Sequence, residues 1–439
     1  MPRKVAVLFL TVAVLGTIVV TFYSYYNGVP SRQILHIFDT LVKNNYSESE
    51  TMYFHVKYRK AHNTKVGVSE TNEPFQEPNQ KWTKEASSTP SPTSMLKGKG
   101  VSLEKFRNTR YLRFNKAAPS WFSRDDVERL IFLATANISH VLPHPHASLS
   151  PIVFDDDRYK THLISDTEQC ESQCGLLKSS LDIYEVLSFH LDRVLGLNRT
   201  LPVIARKFRG LSELGYRFQD GKARPLIWWD PDIAHGGKFQ NDQNSLELSW
   251  VNYTAVLRNR CWADRTTPDP EQFCTPIKHI EWSKLAMFDF LLQVFDRLDR
   301  NCCGFNETLE TEEEACFTDG RHLECETPEV LMLVHMLTRN SDRTRLVYID
   351  NAGRPFRSRK NLDWRLLQGI DEFPEGPVVL LRDPSRLRRR LLQSLHIDKT
   401  FWNSVGTKTI LNVVQNVVNR GQLLVKYVDE NYIAVVPDY

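Results

Sequence analysis

The sequence predicts an α+β fold in two parts: short strands gathered around one helix, then a largely helical half. Three stretches predict it. Residues 182–197 set Ile183, Val186, Leu187, His190, Leu191, Val194 and Leu195 on one helix face. Residues 281–304, EWSKLAMFDFLLQVFDRLDRNCCG, place Leu285, Phe288, Leu292 and Phe295 at spacings of three and four, then break into Asp296-Arg297-Leu298-Asp299-Arg300-Asn301. Residues 345–350, RLVYID, read as a short buried strand that ends in the turn sequence Asp350-Asn351-Ala352-Gly353.

The chain has 439 residues, enough for one or two domains, and its 41% hydrophobic and 25% charged content is that of a globular protein. A net charge of +3 does not argue for a nucleic-acid partner. Residues 5–26 carry no charge and are long enough to cross a bilayer. Arg3 and Lys4 precede them, and Phe22, Tyr23, Tyr25 and Tyr26 form an aromatic belt at the far side. The expectation is a retained type II anchor, with residues 1–4 in the cytosol and the rest in the secretory lumen. A cleaved signal peptide competes, but the bulky FYSYY segment lacks the small residues that cleavage wants. Sequons at Asn45, Asn137, Asn198, Asn252 and Asn306 agree with a luminal glycoprotein. So do the cysteines, even in number and confined to Cys170, Cys174, Cys261, Cys274, Cys302, Cys303, Cys316 and Cys325, which an oxidising lumen would pair. Vicinal bonding of Cys302 with Cys303 is strained, so the expectation is two different partners among Cys316, Cys325, Cys261 and Cys274. Zinc is the competing use of these cysteines, but they form no CxxC pair.

Taken in order, residues 27–117 read as a largely disordered stem. The stretch ASSTPSPTS lies in a polar run that cannot bury enough apolar surface to offset chain entropy. Residues 118–439 are the expected luminal domain. Ser123 or Asp125 caps a helix through Asp126, Val127, Leu130 and Leu133. The Pro/His-rich run HVLPHPHASLSP, with His140, His144 and His146, reads as a loop, because no acid or cysteine nearby completes a metal site. CGLLK reads as a strand presenting Lys178. In the helix after it, His190 reads as a core histidine. Glu185 has two readings: a capping-box acid three residues after Asp182, or an acid that orients Lys178. Residues 201–205 and 225–229 read as strands, with a turn at Asp220-Gly221, and residues 331–337 as an apolar run. FPEGP at 373–377 reads as a turn, and residues 386–390, RLRRR, as the solvated face of a helix. A last helix over 409–425 carries Ile410, Val413, Val414, Val417 and Val418 on one face.

A helix, an acidic loop, and then a buried strand ending in Asp and a turn is the order of a protein-kinase catalytic core. The bland reading of the acidic loop is a solvated helix end with local ion pairs. The blocks CGLLKSSLDIYEVLSFHLDRVLGLNRTLP, EWSKLAMFDFLLQVFDRLDRNCCGF and LVYIDNAGRPF resemble the Golgi-associated kinase 1 family, which is similar to the secretory-pathway kinases four-jointed and Golgi casein kinase. That resemblance covers roughly residues 118 to 435. It implies an atypical two-lobed protein-kinase-like fold, divided near residue 235, in a type II membrane protein of the Golgi. It implies ATP with Mg or Mn as cofactor and secretory-pathway proteins or glycans as partners. By position it makes Lys178 the nucleotide lysine, Glu185 its partner acid and Asp350 the metal aspartate, and leaves both Asp296 and Asp299 as candidate base. The family pattern is broken in one respect: residues 101–174 contain no glycine, whereas a kinase nucleotide loop uses glycines to bring backbone against the phosphates. Three functions therefore stand: a luminal kinase, an inactive pseudokinase acting as a binding or scaffold module, and a glycosyltransferase whose metal motif would be Asp230-Pro231-Asp232.

Overall fold

A computed structural model describes residues 111–114, 118–141, 149–155, 174–208, 220–234, 245–263, 267–298 and 332–437. The expected anchor and most of the stem lie outside these residues; among them, no helix is long and apolar enough to cross a membrane. Ser123 opens α1 (Arg124–Thr135) with a complete capping box. Its hydroxyl accepts from Asp126 N, and the Asp126 carboxylate accepts from Ser123 N at 3.0 Å.

Five antiparallel strands follow: β1 (Asn137–Val141), β2 (Leu149–Asp155), β3 (Cys174–Lys178), β4 (Val203–Lys207) and β5 (Ala223–Trp229), in the order β1-β2-β3-β5-β4. The run read as a Pro/His-rich loop is thus split between strands. His140 lies in β1 and Pro151 in β2, which pair as a hairpin, and residues 142–148 lie outside the described set. Alternation is weak here because Pro and His interrupt it, so the strand pattern was not legible. The central strand β3 is buried throughout, as its unbroken apolar run requires.

Between β3 and β4 runs α2 (Glu185–Leu195), which stops at Gly196 in the left-handed region, φ 77°. Glu185 is no capping-box acid: Tyr184 is the N-cap and caps with no side chain. His190 is buried, with Nδ1 2.8 Å from Ser394 Oγ, and Ser394 also accepts from Trp121 Nε1 at 3.1 Å. Burial, helped by Arg193 and opposed by Asp126, pulls the His190 imidazole down to about 3. A group depressed below its unfolded value near 6.5 costs nothing above that pH. Below it, the unfolded chain takes up a proton that the fold refuses, so stability is lost as pH falls. We expect His190→Leu to remove about 1.4 kcal/mol of the stability difference between pH 7.5 and pH 5.5, read from urea denaturation at both. An unchanged difference would show that this imidazole is protonated in the fold.

The second half is built on α3 (Trp250–Arg258) and α4 (His279–Leu292). The spacing predicted one apolar face for α4, yet all of its residues are buried, Glu281, Lys284 and Asp289 included. A helix enclosed on every side lies at the centre of its half. The pattern was expected to run on to Phe295, but Gln293 turns left-handed at φ 60° and Val294 N closes back on Asp289 O at 3.0 Å. Two short strands follow, β6 (Met336–Leu337) and β7 (Val347–Tyr348), paired antiparallel.

FPEGP, read as a turn, is instead the junction of β8 (Glu372–Pro374) with α5 (Glu375–Leu381). Pro377 sits in the first turn of α5, where no backbone N–H is needed. Next come α6 (Pro384–Leu395), α7 (Lys399–Val405), α8 (Thr407–Glu430) and β9 (Ala434–Val436). Arg386, Arg388 and Arg389 are exposed on α6, as expected for a solvated face, and the five apolar residues named on α8 are all buried.

The two halves are stitched together. Buried Arg199, just beyond α2, donates NH2 to Glu281 Oε1 of α4 at 2.6 Å, and Leu346 N reaches Glu281 Oε2 at 3.3 Å. Asp398 at the start of α7 accepts from Ala205 N of β4 at 2.7 Å. Leu112 and Phe114 are already buried, and Arg113 N donates to Ile397 O at 2.8 Å, so packing begins ahead of residue 118. Cys261 bonds Cys274, with Cα atoms 5.7 Å apart, which removes both from the expected partners of Cys302 and Cys303. Their loop doubles back through Asn259 Nδ2 to Phe273 O at 3.0 Å and Trp262 Nε1 to Thr275 O at 2.8 Å, bringing the two sulfurs together. Cys174 is also disulfide-bonded. Cys170, Cys302, Cys303, Cys316 and Cys325 lie outside the described residues. Of the sequon asparagines, Asn137 and Asn198 are exposed and Asn252 is half-buried, while Asn45 and Asn306 lie outside.

Candidate active site

The last residue of β3, the first of α2 and a residue two past the end of β7 meet at one point. Lys178 is buried and donates Nζ to Glu185 Oε1 at 2.7 Å; it also pairs with Asp350 Oδ1. A strand that ends where a helix begins places an ammonium and a carboxylate seven residues apart side by side, so the short interval is no obstacle. Glu185 also accepts the backbone N–H of Asn351 at 2.8 Å, tying α2 to the turn after β7. Ser188, one turn along α2, donates to Asn351 O at 2.5 Å.

Asp350 has φ 54°, a conformation that costs a residue with a side chain about 1–3 kcal/mol and persists only where neighbours impose it. Arg297 is the main neighbour. It is wholly buried and bonds Asp289 Oδ2 at 2.9 Å, His335 O at 2.6 Å, Ile349 O at 3.0 Å and Asn351 Oδ1 at 2.8 Å. One guanidinium thus fixes the end of α4, the entry to β6, the exit of β7 and the turn carrying Asp350. Gly353 completes the turn at φ 55°, and a Cβ there would lie 2.5 Å from Leu292 O, so only glycine fits.

The electrostatics follow from one ammonium among several acids. Burial works against the charge of Lys178, but Glu185, Asp350 and Asp182 outweigh it and hold the amine raised. Burial also presses on Asp350, yet Lys178 and His335 keep that carboxyl below its ordinary value. Burial and the Asp350 charge raise Asp296, against Arg297 and Lys178. Burial raises Asp182 as well, with Lys178 opposing. Burial pushes Asp289 up to about 6 despite Arg297.

Four of the predicted residues, Lys178, Glu185, Asp296 and Asp350, therefore come together. Asp296 is half-buried and within electrostatic reach of both Asp350 and Lys178. Asp299 lies outside the described residues. Sequence reasoning missed Asp182 and His335 as parts of this site. Asp182, three residues before Glu185, was legible as one more acid on the same turn. His335 gave no signal, since it adjoins Asp350 only in space.

A net excess of carboxylate around one ammonium is a donor set suited to a divalent cation and the phosphates it carries. The residues present thus fit a metal-bound nucleotide. Both acids of Asp230-Pro231-Asp232 have protein partners. Asp230 accepts from Arg339 Nε at 3.2 Å and from Asp232 N at 3.1 Å, and Asp232 binds Ser341. A further cluster, His279, Asp371 and Glu372, is a salt-bridge node, its two acids both held by Arg260. A cavity of about 400 Å³ lined by Trp121, Arg129 and Asn198 shares no residue with the Lys178 site.

Fold and site define a mixed α/β protein with several acids gathered around one buried lysine. Residues 109–439 match the family model described as FAM198 protein, and the chain belongs to that family, the Golgi-associated kinase 1 family. Among similar solved structures is hydra Fam20 with sugar, at 12% identity and TM-score 0.42 over 72% of this chain and 94% of that one. The Golgi casein kinase matches at 12% identity and TM-score 0.40 over 77% and 87%. The same kinase with Mn/ADP bound matches at 10% identity and TM-score 0.39 over 77% and 88%. Likeness at this level carries nothing about residues or activity.

Proposed function

We propose that the protein is a Golgi luminal kinase of the atypical two-lobed class, held by a type II anchor at residues 5–26, that transfers phosphate from ATP to secreted proteins or glycans. The observation that carries this reading is the meeting of Lys178, Glu185 and Asp350 from three separate elements, with Asp296 beside them. Lys178 holds nucleotide phosphate, oriented by Glu185. Asp350 and the acids around it hold Mg or Mn, which when bound neutralises phosphate charge. Asp296, raised by its surroundings, is placed to take the proton of an incoming hydroxyl. A pseudokinase scaffold is the second reading, favoured by the glycine-free run through β1 and β2.

Two measurements on protein made in secretory cells test the proposal. N-glycanase should lower its apparent mass, and an unchanged mass would sink the luminal placement. Purified protein should bind ATP only with Mg or Mn and label secreted proteins or glycans with phosphate. Binding without transfer would leave the scaffold reading, and loss of both would end the nucleotide reading.

A further inference from the structure

Two residues flank the β6–β7 ladder at the same end, and both are left-handed: His335 at φ 65° and Asp350 at φ 54°. Neither is glycine, and strain of this kind persists where the surroundings impose it and marks sites of function. The surroundings here are the buried Arg297, which takes the carbonyls of both His335 and Ile349. Ile349 N in turn reaches His335 O at 3.4 Å. The result is that two side chains are turned toward each other. Asp350 has Oδ1 on Lys178, while Oδ2 faces His335 Nε2 at 3.6 Å.

That separation is too long for a hydrogen bond. It suits two donors on one ion: bonds of about 2.0–2.2 Å place neighbouring ligand atoms roughly 2.8–3.6 Å apart, from octahedral to tetrahedral angles. We infer that His335 Nε2 is a metal ligand alongside Asp350, and that it makes the site select manganese or another transition metal over magnesium. The inference rests on the nucleotide reading above and assigns the site's metal preference within it. An imidazole nitrogen suits borderline transition metals, whereas magnesium wants hard oxygens in a near-ideal octahedron. Two protein ligands are enough, because phosphates and waters complete such sites.

The test uses the full-length protein with ADP and Mn²⁺ or Mg²⁺. Electron spin-echo modulation of bound Mn²⁺ should show a coupled nitrogen that changes to the ¹⁵N pattern when the protein carries ¹⁵N-histidine. His335→Asn keeps a side chain that tolerates the left-handed region, and His335→Gly relieves the strain altogether. Both should melt near wild type and lose the nitrogen coupling. Both should also bind Mn²⁺ at least about 10-fold more weakly, with Mg²⁺ affinity little changed. If wild type binds Mn²⁺ with no histidine coupling, or the variants keep the Mn²⁺ preference, the histidine assignment falls and the nucleotide reading stands. If wild type binds no divalent ion at all, both fall.

Discussion

Asp350→Ala is expected to abolish metal-dependent nucleotide binding. Among the described residues, Asp350 is the acid that pairs with Lys178 while facing His335, and its turn is held by Arg297, Asn351 and Gly353. Without it, a divalent ion loses a carboxylate ligand and phosphate repulsion is left uncompensated. Asp296→Asn acts on a different step. It should leave binding intact and lower turnover by about 10²–10⁴-fold, since the amide cannot accept the hydroxyl proton. Asp299→Asn is the comparison: whichever of the two acids is the base carries the turnover loss, and the other substitution costs little. Calorimetric binding and single-turnover phosphate transfer on the three variants separate these effects. Equal losses at Asp296 and Asp299, or nucleotide binding that survives Asp350→Ala, would overturn the assignment. Thermal melting of each variant excludes a purely structural loss.

Arg297→Met is expected to destabilise the protein by about 3–5 kcal/mol, because it strands a buried acid and breaks a network at its hub. Asp289 would lie inside the helical half with no cation, and burial already presses its carboxyl up to about 6. The carbonyls of His335 and Ile349 would lose a charged donor as well. Arg297→Lys should recover only part of the loss, since one ammonium cannot span acceptors arranged around a planar fork. In urea denaturation, adding Asp289→Asn to Arg297→Met should restore part of the stability, because the stranded charge is then gone. A loss below about 1 kcal/mol for Arg297→Met would show that the network is not the hub described.

The local chemistry was written in the chain. The Ser123 cap, the Lys178 strand, the α2 face and the acid closing β7 all arise from residues within a few positions of one another, so their patterns survive in one dimension. The bland reading of the acidic loop failed for Arg297, which is wholly buried and joins four segments in place of a solvated end. What the sequence did not determine depends on partners distant in the chain. The α4 pattern predicted one apolar face and could not say that the other would be enclosed, because the charges of Glu281 and Asp289 become tolerable only once Arg199 arrives from elsewhere and Arg297 folds back past the end of the helix. FPEGP carries turn residues, and only the pairing of Glu372 to Pro374 with Ala434 to Val436 makes its first two residues strand. The disulfide partner of Cys261 depended on how its loop doubled back, which spacing does not encode. The sequence by itself determined the strongly patterned elements and the charged residues available for a site. The tertiary structure decided which of them meet, since Lys178 and Asp350 are 172 positions apart and approach only because buried Arg297 and Glu185 hold the turn between them.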